Sequence, residues 1–142
     1  MGHGLRVKAL SGTFVLGSLI LAACGARQEL TAQEIAHYAG LVRFSNFKVG
    51  VSENMAGHSV YYIDAVVQNG GDRTIAELRV NAGFRDVDGQ VVFKDAALVI
   101  HPRRRGLGPR ESRGVRMGFE GVPATWNRAA PDIEITHLAF EP

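Results

Sequence analysis

Cysteine and tryptophan are almost missing from this sequence: Cys24 and Trp126 are the single representatives among 142 residues. One thiol excludes an intrachain disulfide framework, and without a second cysteine there is no thiolate cluster for structural zinc. A long apolar run is missing too. The uncharged stretch from Ala9 to Ala23 counts 15 residues; as a helix it reaches ~22 Å against a hydrocarbon core of ~30 Å, too short to span a bilayer. Charge of one sign is also lacking, with 16 Lys and Arg against 14 Asp and Glu. Two of those cations, Arg6 and Lys8, precede the apolar stretch, and the rest of the chain is balanced. No nucleic acid partner is expected of such a chain, because it lacks the net basic field that phosphate binding requires. Its length suits one domain.

What is present begins with a leader. A basic start, a short apolar run and small residues at its end form the pattern of a secretory signal peptide, so residues 1–23 are expected to be removed. The end of the run, Leu21-Ala22-Ala23-Cys24-Gly25, resembles the lipobox of bacterial lipoproteins. That resemblance implies cleavage before Cys24, a diacylglycerol on its thiol and an acyl chain on its new amino terminus. At ~0.8 kcal/mol per buried methylene, such a group anchors a protein to a membrane without a spanning helix. By analogy with lipoprotein sorting in Gram-negative bacteria, Gly25 in place of Asp implies the periplasmic side of the outer membrane.

Residues 24–40 read as a lipidated tether and one short helix. Thr31-Ala32-Gln33-Glu34 has capping-box spacing, Leu30 and Ile35 occupy the flanking apolar positions, and Gly40 is a suitable stop. The helix is expected over roughly 32–39. From Leu41 the apolar period changes to two, and residues 41–142 read as one β domain. Ala76, Leu78, Val80, Ala82 and Phe84 alternate with Glu77, Arg79, Asn81, Gly83 and Arg85, giving a strand with one buried and one wet face. Tyr61, Ile63, Ala65 and Val67 share a face before it, with Asn69-Gly70-Gly71-Asp72 as a turn. Asp86-Val87-Asp88-Gly89 leads into a strand from Val91 to Ile100. These three strands are expected to form two consecutive hairpins. Two more run over 112–120 and 132–140, and changes of parity predict bulges near Ser45 and Asn46 and near His137. Six or seven strands without an intervening helix predict an all-β, antiparallel immunoglobulin-like β-sandwich.

The run from Ile63 through Asn69-Gly70-Gly71-Asp72 to Ile75, then Leu78, Val80, Phe84, Asp86, Asp88-Gly89, Val91-Val92 and Leu107-Gly108-Pro109-Arg110-Glu111-Ser112, resembles the FxLYD-type domain of bacterial envelope proteins. The likeness covers roughly residues 60–119. It keeps Phe84 and Asp86 of the name-giving motif and lacks that motif's first aromatic and its Tyr. It implies a small sandwich whose first strand ends in Asn, and an envelope setting. It brings no catalytic or ligand residues, so no site is transferred.

Candidate chemistry is sparse. His37, His58, His101 and His137 have no ligand spacing, so neither metal nor cofactor is expected. The serines lack a nucleophile setting, and no enzyme activity is expected. Asp86-Val87-Asp88-Gly89 reads as a turn whose Asp bonds its own backbone, not as a calcium loop, and the same reading covers Asn69-Gly70-Gly71-Asp72. Trp126 reads either as a core plug or as a binding aromatic. The one concentrated feature is Arg103, Arg104, Arg105, Arg110, Arg113 and Arg116, six arginines in fourteen residues with Glu111 among them. Guanidinium forks suit phosphate and carboxylate, so anionic lipid, lipopolysaccharide or an acidic protein partner fits. A solvated loop that protects an edge strand fits as well. The expected function is therefore a non-enzymatic, lipid-anchored accessory or protein-interaction module of a bacterial envelope, with anion binding through 103–116 as the alternative.

Overall fold

The computed structural model describes residues 30–142, so the expectations for the leader and for Cys24 lie outside the described residues. Helix α1, Ala32–Ala39, opens with the expected capping box: the Thr31 hydroxyl accepts from the Glu34 N–H, and the Glu34 carboxylate accepts from the Thr31 N–H at 2.8 Å. That bond, with a second donated by the Thr31 hydroxyl at 2.8 Å, holds the Glu34 carboxyl below its ordinary range. Gly40 caps the helix in a right-handed conformation, without the left-handed turn common at glycine stops.

Six strands follow: β1 Val42–Glu53, β2 Ser59–Asn69, β3 Ile75–Arg85, β4 Val91–Ile100, β5 Ser112–Glu120 and β6 Asp132–Phe140. They form two antiparallel three-stranded sheets, ordered β1-β2-β5 and β4-β3-β6, packed face to face as an all-β sandwich. The order corresponds to strands A, B, E against C′, C, F of the immunoglobulin-like plan. The facing sides supply the core: Ile63, Val67, Leu78, Val80, Phe84 and Phe119 have no exposed surface. The Phe84 ring meets Phe119 and Trp126 edge-on, each at 5.0 Å between centroids. Trp126 is thus a core residue, 4% exposed, and its other edge contact is Tyr61 at 5.3 Å. Its indole Nε1 finds no hydrogen-bond acceptor among the described residues.

Both predicted bulges are present. Register between β1 and β2 shifts between Ser45 and Lys48, with Asn46 left-handed at φ 55°, so Phe44 and Phe47 both face inward despite their odd spacing. In β6 the shift falls between Ile135 and His137, opposite Val80 and Arg79.

Two expectations are corrected. β2 and β3 do not pair as a hairpin; β2 lies between β1 and β5, and the 69–74 segment carries the chain from one sheet to the other. Only β3 and β4 form the expected hairpin, at Asp86–Gly89. The outward face of β3 is also drier than strict alternation predicts. β3 is the central strand of its sheet, so neighbours on both sides cover Gly83 and Glu77. Glu77 is 8% exposed and pairs with Arg79 Nε at 2.6 Å, which makes Arg79 a structural partner and not a free surface charge.

Candidate functional site

The arginines occupy the loop between β4 and β5 and the first half of β5. That loop is pinned at its middle. Leu107 is fully buried and exchanges backbone hydrogen bonds with Ile75 at 2.9 and 2.8 Å, while Asn69 Nδ2 donates to the carbonyls of Leu107 and Gly108 at 3.0 and 3.1 Å. Gly106 packs so closely on the carbonyl of Ile75 that a Cβ would lie 2.8 Å from it. With its centre anchored, the loop presents Arg103, Arg104 and Arg105 on one side of Leu107 and Arg110 on the other.

The six guanidinium groups divide into two sets. Glu111 accepts from Arg105 through both carboxylate oxygens, at 2.6 and 3.2 Å, and from Arg113 at 2.8 Å. Arg113 also donates to the carbonyls of Arg105 and Gly106, at 2.8 and 2.6 Å. Arg116 grips Asp64 of β2 with a two-pronged fork at 2.6 and 2.8 Å and lies over the Tyr62 ring. These three shape the loop and brace the sheet. Arg103, Arg104 and Arg110 are exposed and make no ion pair among the described residues. Against six positive charges stand Glu111 and Asp64, leaving a local excess of four.

The pairing shows in the titration of the carboxylates. Hydrogen bonds from Arg113, from the Gly108 N–H and from Arg105 pull the Glu111 carboxyl down to about 2. The Arg116 fork lowers Asp64, and the same contact raises Arg116.

Between the ends of β4 and β5 the surface forms a groove of about 530 Å³. Leu98, Val99 and Val115 supply its apolar part, Arg104 and Arg105 its cationic rim, and His101 also lines it. A smaller cavity of about 300 Å³ lies where α1 meets β6, lined by Leu30, His37, Tyr38, Arg73 and Phe140. Four of the six clustered arginines, Arg104, Arg105, Arg113 and Arg116, line this groove, so it is the candidate site. Its chemistry is that of holding an anion beside apolar surface; it offers guanidinium donors and side-chain packing.

The four histidines of the described residues are spread over α1, the β1–β2 turn, the loop after β4 and β6. Among the described residues no group of three His, Cys, Asp or Glu could hold a metal ion, and no helix is long and apolar enough to cross a membrane.

Sequence reasoning placed Asn69 in a turn at the end of a strand and did not foresee its role as a buried fastener. It sits fully buried at the end of β2. Its Nδ2 donates to the Arg73 carbonyl at 2.7 Å besides those of Leu107 and Gly108, and its Oδ1 accepts from the Gly71 N–H at 3.0 Å and the Tyr38 hydroxyl at 3.1 Å. One amide therefore fastens α1, the inter-sheet corner and the arginine loop together. The usable signal was an Asn ending a strand before two glycines, where Gly71 leaves the space that Tyr38 fills.

No family model, curated protein or solved structure matches this chain.

Proposed function

We propose that this chain is a non-enzymatic, lipid-anchored interaction module of a bacterial cell envelope that binds an anionic component in the groove between β4 and β5. The anchor is Cys24, on the periplasmic side of the outer membrane. Support for the setting comes from the basic, apolar and small-residue segments of the leader ending at Leu21-Ala22-Ala23-Cys24, and from the likeness of residues 60–119 to FxLYD-type domains. The observation that carries the binding role is the division of the arginines: carboxylates neutralise the guanidinium groups that hold the loop, while Arg103, Arg104 and Arg110 stay exposed without an ion pair among the described residues, Arg104 on the groove rim and the other two elsewhere on the same loop. Loop stabilisation accounts for the first set and not for the second.

Binding of the purified protein to vesicles containing anionic lipid, to lipopolysaccharide and to acidic polypeptide tests the reading. Affinity for at least one of these should fall steeply with salt, because exposed charges are screened over ~8 Å at physiological ionic strength. The triple variant Arg103→Ser, Arg104→Ser, Arg110→Ser should lose most of it with little change in melting temperature. Failure to bind any anionic partner at low salt overturns the binding role. For the anchor, intact mass should show loss of residues 1–23 and added acyl mass; an unmodified Cys24 rules it out.

A further inference from the structure

The two sheets leave four edge strands, β1, β5, β4 and β6, and an edge presents unpaired N–H and C=O groups to any chain that can lie beside it. Three of the four are interrupted. β1 has the Asn46 bulge, β4 has register shifts at Leu78/Arg79 and at Phe84/Arg85 of its partner, and β6 has shifts at Ile75/Glu77 and Arg79/Val80. Bulges of this kind twist an edge and discourage pairing.

β5 is different. Its nine pairs with β2, from Val60↔Glu120 to Gln68↔Ser112, run without a shift. It contains no proline, and Gly114 has open space where a Cβ would stand. Charges commonly guard such an edge, yet Arg116 folds back over its own sheet to Asp64 and Tyr62, and Arg113 is engaged by Glu111 and two loop carbonyls. The regular edge of β5 therefore borders the arginine groove.

Resting on the reading of that groove as an anion site, we propose that its ligand is an extended acidic peptide segment, which adds to β5 as a further strand of the β1-β2-β5 sheet. Backbone pairing along β5 supplies the common affinity, as in other strand-addition complexes. Selectivity comes from alternation along the edge. Val115, half-buried and packed on the core side of the sheet, takes an apolar side chain, and carboxylates at the alternate positions of the peptide reach the cationic rim of the groove. Arg104 and the exposed side of Arg105 lie on the groove rim to meet them. A membrane headgroup could satisfy the arginines, but it has no use for an uninterrupted ladder edge.

The test varies the backbone of the ligand at constant charge. A labelled eight-residue peptide alternating Glu and Val is titrated into the purified protein beside two versions N-methylated on one or the other alternating set of amides. One set faces β5 and the other faces away, so one methylated peptide should lose affinity by about tenfold or more while the other binds like the parent. Hydrogen exchange should slow at alternate amides of β5 when the parent peptide is bound. Equal binding of both methylated peptides and of a polyacrylate of matched charge, with no protection in β5, overturns strand addition and leaves a general anion site standing. Absence of binding by peptide, polyacrylate and anionic vesicles alike overturns the anion reading beneath it.

Discussion

The corner at Asn69–Asp72 and the hairpin tip at Asp86–Gly89 are both organised by an Asx side chain that accepts backbone N–H groups, but water reaches only one of them. At the tip, Asp86 Oδ1 accepts from the N–H groups of Asp88 and Gln90, each at 2.9 Å, and Gly89 supplies the left-handed residue at φ 79°. The bonds are local and exposed. At the corner, Asn69 Oδ1 likewise accepts from Gly71 two residues on, but its two Nδ2 hydrogens are shared among three carbonyls, that of Arg73 in the same corner and those of Leu107 and Gly108 in the arginine loop, and the whole side chain is buried. The tip could use a carboxylate because it needs only an acceptor. The corner needs donor and acceptor on one planar group, which an amide provides and a carboxylate does not.

The largest effect expected from this contrast is at Asn69. Asn69→Asp keeps the shape but sets an oxygen against the carbonyls of Arg73, Leu107 and Gly108. It should destabilise the fold by roughly 3 kcal/mol, since several buried acceptors lose their donor together. Denaturant unfolding measures it, and hydrogen exchange should quicken at Leu107, whose N–H bonds Ile75 at 2.8 Å. A loss as small as that of a surface substitution would mean that the corner holds without its amide.

A smaller effect is expected at Asp86. In Asp86→Ala the N–H groups of Asp88 and Gln90 can turn to water, so the cost should be about 0.5–1 kcal/mol by the same measurement. Equal losses at Asn69 and Asp86 would erase the distinction between buried corner and exposed tip.

The smallest effect is a pH dependence. Glu111 belongs to the corner through its carbonyl, which accepts from the Asn69 N–H at 3.0 Å, and its carboxyl titrates at about 2 instead of its ordinary 4.5. A carboxyl lowered in the folded state adds stability above its unfolded value and loses it as protons bind. Stability from this group should thus be complete above about pH 4.5 and decline towards pH 2. In Glu111→Gln that part of the acid sensitivity should vanish, and unfolding midpoints between pH 5 and pH 2 should fall less than in the unaltered protein.

Much of the architecture was legible because it depends on local pattern. The capping box needs only residues three apart, and the boundaries of β5 and β6 follow from two-residue alternation between turn formers. The bulges at Asn46 and near His137 announced themselves as parity changes, since an extra residue must turn the following side chains to the other face. The same logic misplaced β3. Alternation tells which side of a strand is apolar, but not which strands lie beside it, and Glu77 is covered because β3 is central.

The residues alone determined the strands, their inward faces, the helix cap and the arginine concentration, because each follows from the chemistry of near neighbours in the chain. Tertiary structure decided that β2 leads across to the other sheet and not into a hairpin, and that Asn69 is a buried fastener where Asp86 is an exposed turn. It also decided which arginines are engaged: Asp64 lies far from Arg116 in sequence, yet the register Asp64↔Arg116 sets them side by side. These outcomes depend on distant segments meeting, and whether a polar group is buried, paired or left facing solvent is fixed by what packs against it.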